Sequence, residues 1–158
     1  MSKFSLIAMG GTFDIIHHGH ITLLSTAFDI SEKVIIGLTS DEFVQKKGKN
    51  PIHKYDERLK NLTSIIFKKF PNSYFEISQL NNDFGPAVFE KEVQALVVSD
   101  ETKNQGNLLN KLRSERNLSP VEIIVVPMTL AKDGKRISTT RIKNSEIDSD
   151  GNLLPIDK

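Results

Sequence analysis

The chain has 158 residues, of which 38% are hydrophobic and 26% charged, and a formal net charge of +1. That length buries one sizeable core without staples, and the complete lack of cysteine excludes disulfide frameworks, thiolate zinc sites and cysteine nucleophiles together. The near-neutral balance gives no global signal for nucleic acid, and no apolar stretch approaches the ~20 residues of a membrane span.

Taken in chain order, short apolar runs alternate with amphipathic segments. "FSLIAM" (4–9) ends in glycines and a polar helix start, so it reads as a first strand rather than the core of a signal peptide. Ile21, Leu24 and Phe28 then recur at helical spacing. "KVIIGLT" (33–39) is a second strand, followed by a helical stripe of Leu59, Leu62, Ile66 and Phe70. "YFEISQL" (74–80) and "ALVVS" (95–99) are the third and fourth strands. Leu108, Leu109 and Leu112 mark another helix face, and "VEIIVVP" (121–127) is the fifth strand. A loop over 127–134 leads to "STTRIKNSEI" (138–147), which opens with cap residues and reads as a final helix. This alternation predicts α/β architecture: a single Rossmann-like domain over 1–148, with a five-stranded parallel sheet and helices on both faces, and an extended tail over 149–158.

Open sheets of this kind bind ligands at the carboxyl ends of their strands, near the switch in strand order. Four segments therefore carry the functional interest: 10–20, 40–50, 99–106 and 128–141. The first, "GGTFDIIHHGH", holds three histidines and three glycines. It lacks the G-x-G-x-x-G dinucleotide fingerprint, which argues against a dinucleotide-dependent oxidoreductase. Two adjacent glycines alone serve any tight turn. His17, His18 and His20 are open to three readings: helix capping or packing, a metal site completed by His53 or Asp14, or imidazole donors aimed at a phosphate at a helix N-terminus. Only the last accounts for the glycines, Thr12 and the histidines at once.

"GTFDIIHHGH" resembles the signature of the nucleotidyltransferase superfamily, whose H-x-G-H element matches His17, His18, Gly19 and His20. "ISTTRIK" (137–143) resembles the second signature of that superfamily. Within it, "NDFGPA" (82–87), "VVSDET" (97–102) and "KRISTTRIKNSEID" (135–148) are similar to the phosphopantetheine adenylyltransferases of the archaeal and eukaryotic type. Asp100 departs from the uncharged residue expected in that loop. The shared "ISTT" element makes a glycerol-phosphate cytidylyltransferase the nearest alternative; a nucleotide-binding regulator that has lost turnover is the alternative of another class.

The resemblance implies a cytoplasmic enzyme of coenzyme A biosynthesis. It would transfer AMP from ATP to 4'-phosphopantetheine, giving dephospho-coenzyme A and pyrophosphate. Nucleophile and leaving group are both phosphates, so alignment and charge stabilisation carry the chemistry rather than proton transfer. His20 and His17 are the implied catalytic donors. Gly10, Gly11, Thr12 and Phe13 would contact ATP, with Thr12 also on the acceptor phosphate. Ser99, Glu101 and Thr102 would lie against adenine and ribose. Ser138, Thr139 and Thr140, with Arg141 ahead of Arg136, would hold the β- and γ-phosphates. A lysine from "VQKKGKNP", either Lys46 or Lys49, would serve the acceptor, and the stretch around Phe84, Gly85 and Pro86 would line the pantetheine arm. Magnesium is expected on the ATP phosphates without a protein cage; no nucleic-acid or membrane partner is implied, and the oligomeric state is left open.

Overall fold

The computed structural model describes residues 3–88, 90–99 and 102–127, together with residue 142. Within them five strands form one sheet: β1 (Phe4–Gly11), β2 (Ser31–Thr39), β3 (Phe75–Leu80), β4 (Ala95–Ser99) and β5 (Glu122–Val126). All pairings are parallel, in the order β3-β2-β1-β4-β5. The chain therefore builds outward from β1 to β3, then crosses back to lay β4 on the other side of β1. That reversal is the switch point, where strand ends splay apart and leave a crevice.

Helices α1 (His18–Ile30), α2 (Asp41–Lys46), α3 (Tyr55–Lys69) and α4 (Asn104–Glu115) occupy the connections, with a 3-10 turn at Gly85–Val88. The period-two alternation of each strand sorts its side chains between the faces. Ile7, Met9, Val34, Ile36, Leu38 and Val97 pack on one side with Leu24 and Ala27 of α1 and Leu62 and Ile66 of α3. Ala8, Ile35, Leu96 and Val98 pack on the other with Leu109 of α4 and with Phe84, Ala87 and Val88 around the 3-10 turn. Each fully buried leucine or isoleucine contributes about 1.5–3 kcal/mol relative to exposure. Strands covered on both faces must be apolar on both, which is why β1 and β2 read as nearly continuous hydrophobic runs. The expected five-stranded parallel sheet with helices on both faces is what the chain forms.

Two details differ from the sequence expectation. The stretch after β2 is not all loop, because Asp41–Lys46 closes into a short helix. Its first turn is capped by Ser40, whose Oγ accepts from Phe43 N at 3.1 Å, and Asp41 and Glu42 sit favourably at its positive end. Six residues are too few to display a helical period. Phe70 lies just beyond α3, its N–H still bonded to Ile66 O at 2.8 Å, and its ring packs 5.1 Å from that of Phe28. The expected helix over 138–147 and the tail lie outside the described residues, residue 142 apart. Among the described residues, no helix is long and apolar enough to cross a membrane.

Candidate active site

β1 runs straight into Gly10, Gly11, Thr12 and Phe13, and α1 begins at His18. Phe13 has φ of 50°, a left-handed conformation that is costly for a bulky residue and needs firm support. His17 is the N-cap of α1, and its Nδ1 accepts from Gly19 N at 3.0 Å. The backbone N–H of His17 in turn donates to Nδ1 of His20 at 3.2 Å. The two rings stack with centroids 4.0 Å apart, and Phe13 lies against His20 at 4.9 Å.

This local pattern fixes the tautomers. A ring nitrogen that accepts an N–H bond carries no proton, so in the neutral ring the proton sits on Nε2. Burial, reinforced by His17 next to it, holds the His20 imidazole well below its usual range, at about 3. His20 is therefore neutral near pH 7 and is an Nε2–H donor. Capping and donation are not rivals here: the caps orient both rings.

At the switch point lies a cleft of ≈ 230 Å³. Gly10, Gly11, Thr12, Phe13 and His20 line it from the β1–α1 side, Thr39 from β2, Lys49 from the loop after α2, Ser99 from the end of β4 and Thr102 from just before α4. The sequence-predicted contacts from three separate loops thus converge on one space. His17 and Lys46 do not line it; His17 stands behind His20, and Lys46 closes the last turn of α2. Lys47 does line it, with its ammonium 3.0 Å from Asp83 and over the Phe43 ring at 4.7 Å. Ser99 N donates to Thr102 Oγ1 at 3.2 Å, and Thr102 N donates to Ser99 O at 3.1 Å. Phe84 and Ala87 form an apolar wall. Glu101, Ser138, Thr139, Thr140, Arg141 and Arg136 lie outside the described residues, as does Asp100.

Asp14 and His53, considered as metal ligands, are engaged with each other. Asp14 accepts from Ile52 N and His53 N, both at 2.9 Å, and from the His53 ring at 3.1 Å. Among the described residues, no group of three or more histidines, cysteines or carboxylates is gathered for a metal. The donors facing the cleft are imidazole N–H, hydroxyl and ammonium groups, a set that suits phosphate oxygens.

Three residues at or beneath the site are not marked by the sequence pattern. Thr39 reads as the end of a strand, and Gln105, at the start of α4, as an ordinary helix residue; both line the cleft. Arg58 is 0% exposed and reaches Thr12 O at 3.0 Å, Thr39 O at 2.8 Å and Asp41 Oδ1 at 3.0 Å. A signal for it exists: Arg58, Leu62 and Ile66 stand four apart, so the arginine occupies a position on the buried stripe of α3.

A switch-point cleft with hydroxyl, ammonium and neutral imidazole donors is the setting a nucleotidyltransferase needs for its phosphates. Residues 8–145 match the cytidylyltransferase-like family. The chain is 41% identical over 156 residues to a phosphopantetheine adenylyltransferase of Pyrococcus abyssi, covering 98% of both chains. It is 40% identical over 152 residues to one of Methanothermobacter thermautotrophicus, covering 96% of this chain and 91% of that one. A crystal structure of a protein of unknown function from Archaeoglobus fulgidus superposes with a TM-score of 0.70 at 27% identity, over 78% of this chain and 89% of that one. The chain belongs to the cytidylyltransferase-like family and, within it, to the phosphopantetheine adenylyltransferases.

Proposed function

We propose that the protein transfers the adenylyl group of ATP to the phosphate of 4'-phosphopantetheine, a step of coenzyme A biosynthesis in the cytoplasm. An oxygen of the acceptor phosphate attacks the α-phosphorus, the bond from that phosphorus to the bridging β-oxygen breaks, and pyrophosphate leaves. The observation that carries this reading is the orientation of His20: neutral, held as an Nε2–H donor and lining the cleft. A neutral donor suits a step in which charge on the α-phosphate oxygens redistributes while no proton moves. It stabilises the transition state without being drawn into proton exchange.

Position in the cleft supports the remaining roles. Gly10, Gly11 and Phe13 offer backbone contacts to the nucleotide, and His17 supports His20. Thr12 and Lys49 take the acceptor phosphate, and Ser99 and Thr102 take the nucleoside. The apolar wall of Phe84 and Ala87 accommodates the pantetheine arm. By sequence, the hydroxyls of 138–140 and Arg141 serve the β- and γ-phosphates. Magnesium would arrive on those phosphates and lower their charge. Asp14 is tied to the 52–53 backbone and Asp83 to Lys47, and no residue role proposed above depends on the ion.

The test is direct. Purified protein with magnesium, ATP and 4'-phosphopantetheine is expected to release pyrophosphate and form dephospho-coenzyme A, whereas CTP with glycerol 3-phosphate gives little product. Efficient turnover of the second pair, with phosphopantetheine inert, overturns the substrate assignment and leaves the phosphate site standing.

A further inference from the structure

Arg58 touches none of the reacting groups proposed above, yet it is fully buried beneath them. Arginine has donors and no acceptor, so every bond it makes runs outward. Nη1 donates to Thr12 O at 3.0 Å and to Thr39 O at 2.8 Å, Nε to His53 O at 3.1 Å, and Nη2 to Asp41 Oδ1 at 3.0 Å. Nη1 also lies 3.5 Å from the Thr39 hydroxyl oxygen. That hydroxyl donates its single proton to Thr12 Oγ1 at 3.2 Å. The sequence of bonds has one direction: guanidinium to Thr39, and Thr39 to Thr12.

The consequence falls on Thr12. Its oxygen accepts from Thr39, so its own proton is left for a different partner, and Thr12 lines the cleft. A freely rotating hydroxyl could present either a lone pair or a proton to an incoming anion, and a lone pair repels it. The turn that carries Thr12 is fixed as well. Arg58 holds its carbonyl, and two residues on, the Asp14 carboxylate accepts from Ile52 N and His53 N. Between them sits Phe13 in its left-handed conformation, which persists only where the surroundings over-determine it.

We propose that Arg58 and Thr39 are positioning residues for the transfer, holding Thr12 with its hydroxyl proton directed into the cleft as a donor to the acceptor phosphate. The assignment rests on the cleft being the adenylyl-transfer site, and it adds two residues to the set that determines acceptor binding. Preorganisation of the Thr12 hydroxyl acts chiefly on the acceptor, because it is the acceptor phosphate that this proton meets.

Three variants test it: Thr39→Val, which keeps the shape and removes the hydroxyl; Thr39→Ser, which keeps the hydroxyl; and Arg58→Lys. Thr39→Val is expected to raise the acceptor KM by about tenfold, the scale of one hydrogen bond to a charged group, with the ATP KM unchanged. Thr39→Ser restores it, and Arg58→Lys, lacking the fork, raises the acceptor KM at least as far and, by loosening the turn that carries Phe13, raises the ATP KM as well. The amide 15N–1H signals of Thr12 and Phe13 report the same link without substrate; they move in Thr39→Val and Arg58→Lys and return in Thr39→Ser. Wild-type turnover with a normal acceptor KM in Thr39→Val overturns the positioning role. If the wild type forms no dephospho-coenzyme A while those signals still move and return, the positioning stands and the substrate assignment fails. Signals unmoved in both Thr39→Val and Arg58→Lys overturn it whatever the substrate.

Discussion

The backbone N–H of His17 donates to Nδ1 of His20 at 3.2 Å, and that single bond decides which nitrogen of His20 carries its proton. The same atoms that cap α1 thereby prepare a phosphate donor. Replacing His20 with alanine removes both functions, and the two separate in different measurements. Turnover is expected to fall by about a hundredfold, roughly 3 kcal/mol, by analogy with the loss of one oxyanion donor. The ATP KM should move far less, because the donor matters most as charge redistributes in the transition state. An alanine variant with near-normal turnover would reduce His20 to a helix cap.

Acid should expose the burial of the same ring. Burial first, and His17 second, lower the His20 pKa from 6.5 to about 3. Between those values the unfolded chain binds a proton that the folded chain does not, so acidification favours unfolding. The neutral ring's contribution is complete above pH 6.5 and is lost progressively as pH falls toward 3. The melting temperature of the wild type is expected to fall more steeply through that window than that of His20→Asn, whose amide oxygen can still accept from His17 N–H. Parallel curves for the two proteins contradict this. For the same reason, the kcat profile of the wild type should show no ionisation of His20 near pH 6.5.

Most of the sheet was legible because buried parallel strands must be apolar on both faces, and runs such as "KVIIGLT" have few other uses. The cleft was legible where glycine, threonine and histidine coincide after β1. Less visible were features that depend on contacts distant in sequence. The spacing of Arg58 with Leu62 and Ile66 hints at its burial, but its role shows only once α3 is docked, when the carbonyls of Thr12, Thr39 and His53 gather around it. Thr39 looks like a strand end, and its hydroxyl acquires meaning only because β1 lies beside β2 in register. The choice among lysines depended on α2, a helix too short to declare itself.

The three lysines differ in where they stand. Lys49 lines the cleft, Lys47 is paired with Asp83, and Lys46 ends α2 without lining it. Lys49→Ala is expected to raise the acceptor KM by about tenfold, the scale of a charge-assisted hydrogen bond. Lys46→Ala should be nearly silent, as exposed charges usually are. Steady-state kinetics with each substrate varied in turn separates them. If both changes are silent, neither Lys46 nor Lys49 holds the acceptor phosphate, and Lys47, which also lines the cleft, is the lysine left to serve it beside Thr12.

Gly37 offers a prediction that joins packing to the site. It pairs with Gly10 across β1 and β2, and Leu80, 5% exposed, lies over both. A β-carbon at position 37 would stand 2.6 Å from Cγ and Cδ1 of Leu80, far inside van der Waals contact. One at Gly10 would be 3.1 Å from the same Cδ1, and one at Gly85 would meet Cδ2, so the three glycines together make the seat for this leucine. Leu80 also lines the cleft. Gly37→Ala must therefore displace Leu80, at an overpacking cost of about 1–3 kcal/mol, and displacement toward the cleft narrows the substrate space. A lower melting temperature and weaker substrate binding should appear together. Leu80→Ala alone leaves a cavity and is also destabilising. Combined, the two substitutions relieve each other: the methyl group introduced at position 37 occupies space that the leucine side chain has vacated. The double variant should be more stable than the sum of the single effects predicts, by a coupling of about 0.5–3 kcal/mol. Simple additivity in thermal or denaturant unfolding would show that the Gly37–Leu80 contact does not shape this wall of the site.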